Sequence, residues 1–197
     1  MLDLAVLGLL ADGPLHGYEL RKRLGAVLGP LRAFSFGSLY PCLRRLESAG
    51  HVARTGPDEP TALGRSRRAR VVYRITAEGK ERFHAELAEA GPASWDDGSF
   101  DVHLAFFGST PAEARLRVLE GRRRRLEERR EAARQASARR RERADRWSSE
   151  LQRHGLETVE RDVRWLDELI AAERSAPAAA PVETGEPDAG DLPAGAT

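Results

Sequence analysis

The sequence predicts a mainly α protein. An N-terminal winged helix-turn-helix, made of three helices and a β-hairpin wing, precedes a C-terminal long-helix hairpin that serves dimerisation. Three observations carry this. Residues 35–50, SFGSLYPCLRRLESAG, place Leu39, Leu43 and Leu46 at i, i+4 and i+7, one buried stripe of a short helix. The runs His51–Arg54 and Val71–Ile75 are strand-like, and the loop joining them contains Gly56, Pro57, Pro60 and Gly64. Over residues 112–174, apolar residues recur at heptad-like spacing with no Pro and only two Gly, as a long amphipathic hairpin requires.

The elements follow in order. Leu2–Ala11 is apolar nearly all round, the mark of a buried helix, and Asp12-Gly13-Pro14 ends it. His16–Gly29 is a second helix offering Tyr18, Leu20, Leu24, Val27 and Leu28 to the core. Its start, His16-Gly17-Tyr18, lies where free N–H groups and the helix dipole favour a phosphate. The third helix is capped by Ser35 and stopped by Gly50. Its outward face carries Ser38, Tyr40, Arg44 and Arg45, a set of donors and cations suited to base edges. Pro41 lies in this helix and either tightens its first turn, shaping how the tip enters a groove, or marks a later start at Gly37 or Ser38. The wing loop holds Arg65, Arg67, Arg68 and Arg70 against only Asp58 and Glu59, an unbalanced cationic tip for phosphates or the minor groove.

Thr76 caps a fourth helix running to about Glu89, with Phe83, Leu87 and His84 facing inward. Gly91-Pro92 and Asp96-Asp97-Gly98 mark a junction, and Phe100–Phe107 is a short apolar helix. Thr110-Pro111-Ala112-Glu113 is a strong helix start. The helix then runs to about Arg153, where His154-Gly155 breaks it, and Glu157–Glu173 returns. Leu116, Leu119, Leu126, Ala133, Trp147 and Leu151 form the seam of the first arm; Val159, Val163, Leu166 and Ile170 form that of the second. With no other domain to pack on, this seam (Leu116, Leu119, Leu126, Trp147, Leu151, Val163, Leu166, Ile170) predicts a homodimer interface. The domains are 1–90 for DNA binding, 91–110 as linker, 111–174 for dimerisation, and a disordered Ala/Pro/Gly/Asp/Glu-rich tail at 175–197.

Composition narrows the function. The chain of 197 residues has a formal net charge of +1, with 32% charged and 6% aromatic residues. Residues 1–90 hold roughly fourteen Lys/Arg against ten Asp/Glu, and the remainder roughly eighteen against twenty-one, so the positive charge sits with the winged helix. One cysteine, Cys42, excludes an intrachain disulfide and a cysteine-cluster metal site, and it sits beside the buried stripe as an inert thiol. The five histidines lack ligand spacing, and no nucleophile–base arrangement or phosphate-cradling glycine loop occurs, so neither a cofactor nor catalysis is expected. Leu2–Leu10 lacks the basic flank of a signal peptide, and no run reaches the ~20 apolar residues of a membrane span; a cytoplasmic protein is expected. The arginine runs at 122–125 and 139–141 alternate with Glu127, Glu128, Glu131, Glu142 and Asp145, the pattern of a solvated ion-paired face. Trp95, Phe100, Phe106 and Phe107 gather at the junction, where they either pack the two domains together or line a pocket for a flat, apolar effector.

The stretches LAVLGLLADGPLHGYEL, FGSLYPCLRRLESAGHV and VVYRITAEGKERF together resemble the PadR family of bacterial transcriptional regulators. The resemblance covers roughly residues 1–90. It implies a homodimer on a palindromic operator of double-stranded DNA, a repressing role, and release by a small hydrophobic effector. Matched by position, Ser38, Tyr40, Pro41 and Arg44 fall on the family's recognition-helix motif. His16, Gly17 and Tyr18 fall on its second-helix motif, and Tyr73 and Arg74 on its second wing strand. The longer Arg-rich wing and the acidic tail depart from the family pattern. Pairing should set two recognition helices about 34 Å apart, one turn of DNA. The alternative is a protein-interaction or ligand-binding module that works through the coiled-coil region without DNA.

Overall fold

The computed structural model describes residues 1–28, 36–55, 71–140 and 145–176, with side chains at 1–28, 37–55, 71–135 and 145–176. The predicted cap Ser35, the wing arginines Arg65, Arg67, Arg68 and Arg70, and residues 177–197 lie outside the described residues. The fold is mainly helical, with one small antiparallel sheet. In chain order, α1 is Leu2–Ala11, β1 Leu15–His16, α2 Gly17–Val27, α3 Phe36–Ser48, β2 Val52–Thr55, β3 Val72–Ile75 and α4 Ala77–Glu89. Then come α5 at Asp97–Ala105, α6 at Ala112–Arg140 and α7 at Arg146–Ser175, with single 3-10 turns at Pro92–Trp95 and Phe107–Ser109.

α1 is the hub. Leu4 through Leu10 are all buried, as a helix apolar on every side must be. Around it pack Leu20, Leu24 and Leu28 of the α2 segment, Leu39, Leu43 and Leu46 of α3, Val52 and Tyr73 of the sheet, and Phe83 and Leu87 of α4. Removing such side chains from water contributes about 1.5–3 kcal/mol each. The expected inward placement fails at three positions: Tyr18 and Val27 are exposed, and so is His84, each lying off its helix's buried stripe. α3 ends as predicted, with Gly50 in the left-handed region at φ 76°. Thr76 caps α4, accepting from the Gly79 N–H at 3.0 Å.

The sheet has a strand that residue patterns did not reveal. Two-residue β1 joins the hairpin, giving the order β1-β3-β2 with Leu15 opposite Tyr73 and Tyr73 opposite Arg54.

A second core joins Phe100 of α5 to Val118, Leu119 and Leu126 of α6 and Val163, Leu166 and Ile170 of α7. The hairpin turn is not at His154-Gly155, which lies inside α7. The helix instead restarts at Asp145, whose carboxylate accepts the Trp147 and Ser148 N–H groups at 2.8 and 3.0 Å. A helix-interior glycine costs only about 1 kcal/mol, too little to break a helix with a buried stripe. At the start of α6 the Thr110 hydroxyl turns back to the Phe106 carbonyl at 2.9 Å rather than capping forward.

The seam also changes partners. Leu119, Leu126, Val163, Leu166 and Ile170 are buried within one chain, and Leu116 packs against them, so α6 and α7 cover each other. The five buried side chains are therefore not free to face a second molecule. Trp147 and Leu151 are the exception, 74% and 72% exposed on α7.

Candidate nucleic-acid interface

α3 sorts its side chains by helical angle. Leu39, Cys42, Leu43 and Leu46 point inward, while Gly37, Ser38, Pro41, Arg44 and Ser48 are exposed. Pro41 is inside the helix, and it has no N–H to offer the Gly37 carbonyl one turn earlier, which leaves that acceptor on the outward side. Arg44 projects from the same side, and among the described residues it has no ion-pair partner. Tyr40 lies on the flank facing α2. Its hydroxyl would stand 3.2 Å from a Cβ at Gly17, so the missing side chain of Gly17 lets the two helices meet closely.

The start of α2 completes the surface. His16 occupies the cap position in extended conformation, and α2 has no side-chain cap, so its first N–H groups keep their donors and the dipole's positive end. The His16 ring sits 3.3 Å from the Val71 carbonyl, tying the helix start to the sheet. Tyr18, 67% exposed, stands at that first turn. The outer face of α3 and the first turn of α2 thus present one cation, hydroxyls, aromatic edges and free N–H groups together, chemistry that suits phosphate and base edges.

Two expected contact residues do not join this surface. Arg45 lies about 100° round the helix from Arg44 and is engaged by Asp3 of α1, to which it donates from Nη2 and, at 3.4 Å, from Nε. Cys42 donates to the same carboxylate at 3.2 Å, and Arg82 of α4 stands 3.8 Å away. Burial raises the Asp3 carboxyl, but hydrogen bonds from Arg45 and Cys42 outweigh it and hold it below the usual carboxylate range. Burial, reinforced by Asp3, pushes the Cys42 thiol up to about 12, so it is inert. Arg45 therefore fastens α3 to α1. Tyr73 is 7% exposed because strand alternation turns it into the core between β1 and β2; burial also raises its phenol. Arg74, the next residue, is exposed on the opposite face; Arg54 of β2, the cross-strand partner of Tyr73, is exposed as well and pairs with Glu47 at 3.5 Å. The period-2 alternation of VVYRI was the signal that separates Tyr73 from Arg74.

The four junction aromatics pack in different places. Phe106 packs edge-on to Phe83 at 5.5 Å beside the first core. Phe100 belongs to the second core, edge-on to Trp165 at 6.2 Å, and Phe107 packs against that core too. Trp95 lies on Gly121 of α6. The arginine run at 122–125 of α6 is ion-paired, Arg123 with Asp167 at 2.6 Å and Arg125 with Asp96 at 2.7 Å; the side chains of the run at 139–141 lie outside the described residues.

The sequence profile of the transcriptional regulator PadR-like family matches residues 6–85, the span from α1 into α4. Over these residues the chain is similar to the PadR-like family. Solved structures similar to it include Bacillus subtilis PadR in complex with operator DNA, 20% identical over 87% of this chain and 98% of that one, TM-score 0.39. The PadR-like transcriptional regulator BC1756 from Bacillus cereus is 22% identical over 88% of this chain and 98% of its own, TM-score 0.38. A transcriptional regulator from Clostridium thermocellum is 28% identical over 43% of this chain and 76% of its own, TM-score 0.37. No curated protein sequence matches the chain. The PadR-like similarity rests on the profile match, and the interface described above falls inside it. No helix among the described residues is long and apolar enough to cross a membrane.

Proposed function

We propose that this chain is a cytoplasmic transcriptional repressor that binds an inverted-repeat DNA operator as a homodimer. The observation that carries the reading is the outer face of α3, where Arg44, without an ion-pair partner among the described residues, and Ser38 stand beside the uncapped start of α2. Arg44 and Ser38 meet base edges, and Pro41 sets the helix tip in the major groove. Tyr18, Tyr40 and the first turn of α2 meet phosphates, as do the wing residues Arg65, Arg67, Arg68 and Arg70. Residues 1–90 are the DNA-binding unit, 91–110 the junction and 111–174 the pairing unit. Because the hairpin covers its own seam, the second copy seats on the exposed α7 side that carries Trp147 and Leu151. Release by a small hydrophobic effector is supported by the resemblance alone, since the four junction aromatics are already packed into side-chain contacts.

The test is selection of sheared genomic DNA by the purified protein at about 150 mM salt, where non-specific phosphate binding is suppressed. An enriched inverted repeat with half-sites about 34 Å apart is expected. Arg44→Ala should then lose about 1–3 kcal/mol of discrimination at one base position. Equal losses on matched and scrambled DNA would remove Arg44 from base reading. Absence of enrichment from an intact dimer would overturn the operator reading in favour of an interaction module.

A further inference from the structure

The segment between the two cores is built unlike a linker. α5 shows a different apolar face to each side: Val102 and, one turn on, Phe106 reach the first core, while Phe100, Leu104 and Phe107 reach the second. Both ends are seated on glycines. A Cβ at Gly8 of α1 would overlap the Phe106 ring, and a Cβ at Gly121 of α6 would overlap the Trp95 indole. Each aromatic therefore rests directly on helix backbone.

Charge closes the arrangement around Trp95. Arg122, whose side chain is only 12% exposed, donates to the Trp95 carbonyl at 3.0 Å, pairs with Asp97, and lies 5.3 Å from the Phe100 ring centre. Arg129, two turns along α6, donates to both oxygens of Asp97 at 3.0 Å. Arg124 stands over the Trp95 ring at 5.9 Å, and Arg125 pairs with Asp96 at 2.7 Å. Exposed ion pairs hold little on their own. Here a nearly buried guanidinium is satisfied by a carboxylate, a carbonyl and a ring face at once, so its geometry is fixed.

We propose that Trp95, Asp97 and Arg122 are positioning residues: their clasp on α6, with Phe106 seated on α1, holds the winged helix at one angle to the hairpin. In a paired molecule that angle determines which spacing between DNA half-sites is accepted. The spacing consequence rests on the operator reading above; the fixed angle does not. Neither role needs Trp95, Asp97 or Arg122 to touch DNA.

The experiment has two arms on the full chain. Spin labels at exposed Glu81 of α4 and Glu168 of α7, introduced as Glu81→Cys and Glu168→Cys, report the angle between the units. The doubly labelled chain is diluted into unlabelled chain so that only intrachain distances are read; buried Cys42 stays unmodified. A single narrow distance distribution is expected, widening in Asp97→Asn and Trp95→Ala and narrowing again in Asp97→Glu, with helix content unchanged. An unchanged width in folded Asp97→Asn and Trp95→Ala overturns the clasp. The second arm moves one half-site of the selected operator by one or two base pairs. Wild type should bind the displaced sites roughly tenfold or more weakly, because both halves can no longer engage together. Asp97→Asn should reduce that penalty to within about threefold while keeping half-site preference. An equally steep penalty in Asp97→Asn overturns the spacing role. Failure of wild type to bind any DNA sinks the operator reading and leaves the distance result to decide the clasp.

Discussion

Gly155 and Gly121 sit in the two arms of one hairpin, and replacing each by alanine should move stability in opposite directions. Gly155 is exposed in the interior of α7, and a Cβ there has nothing within 4 Å. Alanine in a helix interior is favoured over glycine by about 1 kcal/mol, so Gly155→Ala should stabilise by that amount. In a chain of this size it corresponds to a rise in Tm of about 2–4 °C. At Gly121 the same propensity gain meets the Trp95 ring. Overpacking costs about 1–3 kcal/mol, leaving Gly121→Ala between neutral and about 2 kcal/mol destabilised. Thermal and urea unfolding followed by circular dichroism, at one protein concentration, gives both values. If Gly155→Ala destabilised the protein while leaving pairing by light scattering unchanged, the chain would need a glycine-specific turn there and the hairpin would break at His154-Gly155. If Gly121→Ala stabilised as much as Gly155→Ala, Trp95 would not be seated on α6.

Two further outcomes follow from named side chains. His103 is 3% exposed and its Nδ1 has no hydrogen-bond partner among the described residues; burial lowers its pKa below 6.5, opposed by Glu86. The folded state therefore prefers the neutral ring, so stability present above pH 6.5 should fall as pH drops through the lowered folded value. His103→Leu should flatten the pH dependence of Tm between pH 7 and 5, and an unaltered slope would assign that loss to other groups. Arg45→Ala should leave base preference and the salt slope of DNA binding unchanged because its guanidinium is engaged by Asp3. A slope lowered by about one unit would put Arg45 on a phosphate.

Much of the winged helix is legible in sequence because its signals are local. The leucine stripe of α3, Gly50 at its end, Thr76 before α4 and the all-apolar α1 each report their own conformation within a turn or two. What escaped depended on residues far apart. Arg44 and Arg45 are adjacent and chemically alike, and Asp3, 42 residues upstream of Arg45, separates the fastened cation from one with no ion-pair partner among the described residues. The apolar spacing of Leu119, Leu126, Val163 and Leu166 is the same whether a seam closes within a chain or between two. Here it closes within the chain. The break between α6 and α7 gave no Gly or Pro, only the short carboxylate of Asp145, while Gly155 gave a false one. β1 is too short to have any periodicity.

The pairing of β1 with β3 makes a ring of the chain. Leu15 and His16 meet Tyr73 and Val72, so α2, α3 and β2 all lie on a loop closed by one two-residue clip. Doubling such a loop's length would add only about 0.6 kcal/mol to its closure; what the clip changes is cooperativity. The helix that faces outward and the helix start beside it cannot leave the sheet independently while the ring is shut. Amide hydrogen exchange should therefore find α2, α3 and β3 opening with one shared free energy, as a single unit. Weakening β1, for example by His16→Pro, should lower protection along α3, which begins 20 residues further along the sequence, before it affects the hairpin of α6 and α7.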